Sequence, residues 1–258
     1  MTLNEWNMNR PATYPPPEIL YENGPVIIAL KPPGLLTQSP PGIDSLEDRV
    51  KEYVRRRLGR TTGKVYLGVP HRLDRPASGV MVFARNVRAA RRLSEQFEAR
   101  QVEKTYWALV EGRIEEDEAT WIDYLRKIPG QAHAEVADRD FPGGRKAVLR
   151  YRVKGRYGWG AWLKIELETG RTHQIRVQCA SRGHPVLGDI QYGSTVPFGP
   201  RHDDPRSRAI ALHARSLKLL HPKDWDSIEV VAPVSNTWGE WIGTEESRAD
   251  EEQADGQC

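Results

Sequence analysis

From residue 19 the chain alternates short apolar runs with turn-forming residues. Ile19 to Glu22 and Val26 to Leu30 flank Asn23-Gly24, a dipeptide that favours a tight hairpin, so this stretch predicts two antiparallel strands. The period then lengthens. Leu46, Val50, Tyr53, Val54 and Leu58 recur at helical spacing behind Ser45 and Asp48, which can cap the first turn, and Gly59 follows as a stop. This predicts a helix through Arg57. Asn86 can cap a second helix in which Ala90, Leu93 and Phe97 share a face while Arg88, Arg91 and Arg92 lie elsewhere. Such an arginine row is either a solvated face or a phosphate-contacting one, and the pattern leaves both open. Strand-like runs follow at Lys104 to Val110, Ala147 to Val153, Trp162 to Leu167, Ala211 to Leu219 and Ile228 to Val231. Gly170 turns the chain out of the strand ending at Leu167, and a helix is expected from about His173 to Ser181, stopped by Gly183. Ile175 and Cys179 would face its core side, leaving Arg171 and Gln174 freer to face a ligand. Several strands succeed one another with no helix between them. The expected class is therefore α+β, with a mixed, largely antiparallel sheet and flanking helices.

Composition narrows the setting. At 258 residues the chain can bury a full core, and no boundary divides it into two halves. Residues 1–17 read as an irregular, Pro-rich arm, 18–243 as one folded domain, and 244–258 as an acidic, disordered tail. That tail carries six carboxylates against Arg248, a net of −5, so a formal net charge of +3 becomes +8 on the remainder. A basic body is the electrostatic footprint of a nucleic-acid partner. Cys179 and Cys258 cannot form a disulfide framework, no Cys/His pair has zinc-ligand spacing, and no apolar run reaches the roughly 18 residues of a membrane span. A cytoplasmic protein with no metal and no membrane contact is expected.

The chemistry concentrates in two segments. Residues 71–79, HRLDRPASG, place the carboxylate of Asp74 between Arg72 and Arg75, directly before a Pro and a Ser-Gly turn. Flanking positive charge keeps such a carboxylate ionised, which fits a base or nucleophile rather than a proton donor. Residues 168–193, ETGRTHQIRVQCASRGHPVLGDIQYG, carry an unbroken polar run from Arg171 to Gln174 followed by Ile175 and Arg176. With Ile175 on the core side, Arg176 must be partly buried, and a buried guanidinium needs a partner. Asp74 is the candidate.

HRLD-x-x-x-SG, then GRTHQIRV, then HP-x-x-GD-x-x-YG resembles the RluA family of pseudouridine synthases. The resemblance extends to the hairpin ILYENGPVIIALKPPGL with its Lys31-Pro32-Pro33-Gly34 turn, to EKTYWALVEG with Lys104 and Tyr106, and to ALHARSLKLLHP near the end. It implies the pseudouridine synthase fold with a central basic active-site cleft, and a catalytic domain over 18–243. The implied activity is isomerisation of uridine to pseudouridine in structured transfer or ribosomal RNA, with no cofactor. Asp74 is implied as the catalytic carboxylate, Arg176 as the group that holds it ionised, and Tyr106 as the ring that stacks on uracil. Arg72 would fill the stack vacated by a flipped base, and Arg75, Lys104, Arg171 and His173 would contact the base or phosphates. The chain departs from the family pattern at Ala77, where Thr is usual, and at Gln178, where His is usual. A stand-alone monomeric enzyme is expected, the alternative being a non-catalytic RNA-binding or RNA-folding protein on the same fold.

Overall fold

The computed structural model describes residues 15–59 and 63–243. The expected acidic tail and most of the expected N-terminal arm lie outside the described residues. Ten strands join one sheet: β1 (Glu18–Asn23), β2 (Val26–Lys31), β3 (Ser78–Ala84), β4 (Glu103–Glu111), β5 (Glu118–Lys127), β6 (Ala134–Ala137), β7 (Arg145–Tyr157), β8 (Gly160–Leu167), β9 (Leu212–Leu220) and β10 (Ser227–Val231). Four α-helices are described: α1 (Leu46–Arg57), α2 (Val87–Glu98), α3 (Gln174–Ala180) and α4 (Asn236–Ile242). The strand order is β1-β2-β3-β9-β4-β8-β7-β5-β6, with β10 on the far part of β9. Every strand pairing is antiparallel except β3 with β9, so the mixed, largely antiparallel sheet is as expected.

The parallel β3–β9 contact is short and sits where the two halves of the sheet meet. It pairs Ser78 with His213 and Gly79 with Ala214. A Cβ at Gly79, whose φ is +124°, would lie 2.3 Å from the Ala214 carbonyl oxygen, so the Ser-Gly of residues 78–79 is what lets the strands approach. The His213 ring fastens the crossing. Its Nε2 lies 3.1 Å from the Ala232 carbonyl, which only accepts, so Nε2 carries the proton and Nδ1 accepts from the Ser78 hydroxyl at 2.8 Å. Burial lowers this histidine to about 4, which keeps it neutral.

Two apolar clusters lie on either side of that crossing. One gathers β2, β3, α1, α2 and much of β9; the other gathers β4, β8, α3 and α4 around Trp107, Trp162 and Trp238. Leu73 belongs to the first cluster and Ala77 to the second, and Tyr106 packs against both. The segment carrying Asp74 therefore spans the seam between two separately packed halves.

The helices begin where their caps predict. Ser45 Oγ accepts from the Asp48 amide at 3.2 Å, and Asn86 Oδ1 from the Ala89 amide at 2.8 Å. Three expectations need correction. Leu58 is not part of the α1 stripe: it is the C-cap and 54% exposed, because the helix ends before its side chain can turn inward. The third helix is shorter than expected, and its N-cap His173 has a left-handed φ of +53°. Gln174 does not face outward. It is buried, with Oε1 accepting from the Thr169 hydroxyl (2.8 Å) and the Arg171 amide (3.0 Å), so it closes the turn it was expected to project from.

Candidate active site

Asp74 occupies an irregular loop pinned on both flanks. Upstream, Thr37 Oγ1 donates to the Leu73 carbonyl (3.0 Å) and accepts from the Leu73 amide (3.2 Å). Downstream, the Ala77 amide donates to the Asp74 carbonyl at 3.1 Å and closes the turn. Lys31, with no exposed surface, reaches under this turn and donates to the carbonyls of Ala77 (2.7 Å), Leu35 (2.7 Å), Pro32 (3.0 Å) and Arg75 (3.1 Å). Burial lowers its ammonium to about 7, with the Asp74 carboxylate pulling the other way. Arg75 Nε donates to the Gly34 carbonyl, and the Gly34 amide returns a bond to the Arg75 carbonyl, both 2.8 Å. The Lys-Pro-Pro-Gly turn thus clamps the backbone that presents Asp74.

On the far side of the seam Arg176 projects from α3, 3% exposed. Its Nη1 donates to Asp74 Oδ2 at 3.2 Å. The stronger attachment is to a residue the sequence reading did not select. Nε and Nη2 form a fork on Asp189 at 2.6 and 2.8 Å, and Nη2 also donates to Gln191 Oε1 at 2.8 Å. The Tyr192 ring covers the guanidinium face, its centroid 4.8 Å from Cζ. Burial pulls Arg176 down, but the hydrogen bonds and charges of Asp189 and Asp74 outweigh it and hold the group above its usual value. Arg176 is a fixed cation with one edge left for Asp74, its partner by expectation. Asp189 lies in the GD-x-x-YG stretch, the one signal that could have found it.

His173 stands on the other carboxylate oxygen, with Nε2 3.8 Å from Asp74 Oδ1 and Nδ1 2.8 Å from the Tyr192 hydroxyl. A non-glycine residue with positive φ is uncommon, and here the ring contacts hold it there. Burial lowers its imidazole, with Asp74 acting in the opposite sense.

Tyr106 enters from β4 beside a break in the β4–β9 register between Thr105 and Tyr106; such bulges re-aim side chains. It lines the same small pocket as Asp74, Arg176 and Leu212. Burial, reinforced by the Asp74 charge, raises its phenol well above the ordinary value, so the hydroxyl is protonated at neutral pH. This pocket opens into a cleft of about 860 Å³ that also takes in Arg72, Arg75, Lys104, Arg171 and His173. Six Lys and Arg side chains line the cleft against three carboxylates.

Residues 25–181 match the family described as RNA pseudouridylate synthase. The chain belongs to that family. Within it, the RluA-type motifs stand on the elements just described. The chain is 34% identical over 225 residues to an uncharacterized RNA pseudouridine synthase of Synechocystis, covering 85% of this chain and 66% of that protein. Ribosomal large subunit pseudouridine synthase D of Escherichia coli is 32% identical over 248 residues, covering 92% and 72%. For the synthase D of Xylella fastidiosa the figures are 34%, 85% and 66%, so the chain spans just under two thirds of several relatives. Among solved structures, human RNA pseudouridylate synthase domain containing 4 superposes with a TM-score of 0.70 at 22% identity, covering 89% of this chain and 92% of that one. Human domain containing 1 gives 0.64 at 26%, covering 87% and 86%.

All eight residues selected from the sequence line the small pocket or the cleft it opens into, with different engagements. Arg72 is exposed and has no hydrogen-bond acceptor among the described residues. Arg75 has its Nε committed to the Gly34 carbonyl. Lys104 lies 6.0 Å from the Phe97 ring, and burial, with the nearby Arg100 charge, lowers its ammonium. Arg171 Nε donates to the Lys146 carbonyl; burial and the like charges of Arg145 and Arg100 lower it, a crowding that a phosphate would relieve. The two departures are structural. Ala77 is buried in the second cluster, and Gln178 Nε2 donates to Asp123 Oδ2 at 2.6 Å, fastening α3 to β5. The sequence reading also passed over His71. It stacks on Phe97 (centroids 4.7 Å apart), accepts the Val82 amide proton at Nε2, and is lowered by burial to about 3. Among the described residues, no three His, Cys, Asp or Glu side chains cluster as metal ligands would, and no helix is long and apolar enough to cross a membrane.

Proposed function

We propose that this protein isomerises uridine to pseudouridine in structured RNA, ribosomal or transfer, with Asp74 as the catalytic carboxylate. The carrying observation is a single one: Asp74 is held by a buried, fully engaged Arg176 next to an unengaged Tyr106 hydroxyl, inside a cation-lined cleft. The relatives named ribosomal large subunit pseudouridine synthase D favour ribosomal RNA.

The reaction breaks the bond from the anomeric carbon to N1, turns the freed uracil, and forms a bond from the same carbon to C5. C5 loses a proton and N1 gains one, so the change balances without a co-reactant. Asp74 acts on the ribose, as nucleophile at the anomeric carbon or as base at the neighbouring position. Arg176 orients it through the 3.2 Å bond from Nη1 to Oδ2. The protonated Tyr106 stacks on the base and can relay the C5 proton, but does not rest as a phenolate. Extruding a stacked uridine costs a few kcal/mol, and the uncommitted Arg72 guanidinium suits the vacated stack because its plane can stack while its edge hydrogen-bonds.

Asp74, Tyr106 and Arg176 share one pocket within a single protomer, so a monomer would carry a complete site. A reducing, cytoplasmic setting is part of this reading, and Cys179, a buried free thiol, is compatible with it. The test is to map pseudouridines in the host's RNA with the protein present, absent, or carrying Asp74→Asn. Sites that vanish without the protein and stay absent with Asp74→Asn support the reading; sites formed by Asp74→Asn refute it. Unchanged maps in all three backgrounds, with RNA still bound, would favour the non-catalytic RNA-binding alternative.

A further inference from the structure

The residues that face away from the cleft on α2 and its neighbours form a second basic feature. A groove of about 560 Å³ lies between the N-terminal half of α2, the β1–β2 hairpin turn and the β9–β10 connection. Arg85, Arg88, Arg92 and Lys223 line it, together with Gly24 and Pro222, and no carboxylate does. Two of the four cations are fixed in place. Arg85 donates to Glu22 Oε1 (2.9 Å) and to the Gly24 carbonyl, while Arg92 donates to the Pro222 carbonyl (2.5 Å) and lies 5.4 Å from the Trp225 ring centroid. Arg88 is exposed and has no acceptor among the described residues; Lys223 is exposed beside Asp224 at 3.4 Å. Against the four positive charges stand Glu22 and Asp224 nearby, so the surface stays net positive. Trp225 is 52% exposed and held at a φ of +66°.

A cation-lined groove with an exposed aromatic at its edge is the arrangement by which proteins hold nucleic-acid backbone, phosphates on the cations and a base on the ring. Its position gives it a partner. Helix α2 starts at this groove and ends at the cleft, where Phe97, Glu98 and Arg100 line the opening, so from Arg88 to Arg100 the two features are roughly 18 Å apart at 1.5 Å per residue. We propose that this groove is an accessory site for the phosphodiester backbone of the RNA whose uridine occupies the cleft, reading length and shape rather than sequence. This rests on the RNA-modifying role proposed above. A substrate anchored there as well as at the cleft is held at two places, which favours an extended or folded RNA over a short single strand.

The test uses the full chain and Arg88→Gln combined with Lys223→Gln, both exposed positions whose replacement leaves the core untouched. Binding to a labelled 30-nucleotide hairpin is measured across a salt series. Loss of two phosphate contacts makes the slope of log K against log salt shallower by about 1.4 to 1.8, at about 0.7 per contact on a single-stranded loop and about 0.9 on a duplex stem. Trp225→Ala should weaken the same binding without changing the slope. Turnover on the shortest RNA that the wild type modifies, with two nucleotides each side of the target, should be unchanged, since these reach only roughly 7 Å at about 3.4 Å per stacked nucleotide. Superimposable salt lines for variant and wild type overturn the proposal, as does an equal loss on the short RNA, which would reduce the groove to a general field. The two readings fail separately: a wild type that modifies no RNA defeats the catalytic role, while the hairpin slopes still report on the groove.

Discussion

The triad of Asp189, Arg176 and Asp74, of which only the first two are buried, makes a prediction in which two chemically identical substitutions have opposite profiles. Asp189→Asn removes one carboxylate from a pair in which neither side chain is more than 3% exposed. An amide can accept one of the two guanidinium bonds, but its NH2 then opposes the second donor, and the cation loses its main counter-charge. Breaking a buried ion pair from one side costs about 3–5 kcal/mol, because the remaining charge stays out of water. At about 2–4 °C per kcal/mol for a chain of this size, Tm should fall by roughly 6–20 °C. Asp74→Asn removes a single 3.2 Å bond from a side chain that is 26% exposed, and the Asp189 fork remains. Its cost should be within about 1 kcal/mol, since a partly exposed pair contributes little. The assays are calorimetry and single-turnover pseudouridine formation on one RNA. Asp74→Asn should be nearly as stable as wild type and inactive; Asp189→Asn should be destabilised and, below its Tm, slowed because Arg176 no longer holds Asp74 in place. An Asp189→Asn protein melting within about 2 °C of wild type would refute the reasoning, as would an Asp74→Asn protein melting as low as Asp189→Asn.

Three further outcomes are expected. Tyr106→Phe should bind RNA as wild type does but lose most turnover, since it keeps the ring and removes the only hydroxyl identified for proton relay; near-wild-type rates would confine Tyr106 to stacking. Arg72→Ala should slow reaction on a uridine within a stem-loop more than on one in a short single strand of the same sequence, and equal losses would make Arg72 a phosphate contact. Stability should fall in mild acid. His213 titrates near 4 in the folded state and near 6.5 unfolded, so its contribution is fully present above about 6.5 and is lost as pH falls towards 4; about 2 kcal/mol should disappear between pH 7 and 5. Urea titrations of wild type and His213→Asn at both pH values check this, and equal pH dependence in the two would show that His213 is not the group responsible.

Local chemistry settled much of this protein before any contact was known. The Asn-Gly turn, the Ser45 and Asn86 caps and the period of the apolar residues depend on neighbours two to four positions away, and the β1–β2 hairpin, α1 and α2 formed where they predicted. The ordered motifs likewise named Asp74, Tyr106 and Arg176, which share one pocket. What the chain did not reveal is whatever depends on comparing distant partners. β5 and β6 were missed because only Leu125 of β5 is fully buried and polarity does not follow its faces, Ile122 being exposed and Asp123 half-buried, so no clean alternation of apolar and polar residues marks the strand. Gln174 sits at a helical position that looks free, and only the folded turn shows its carboxamide bonded inward. Asp189 and Asp74 are both carboxylates able to pair with Arg176. Only packing places one at 2% exposure in a two-pronged fork and leaves the other on a single edge facing the cleft. Burial and geometry decide whether an ion pair holds a structure together or stands ready for chemistry, and both are properties of the tertiary fold, since a charge has no fixed environment until the chain closes around it.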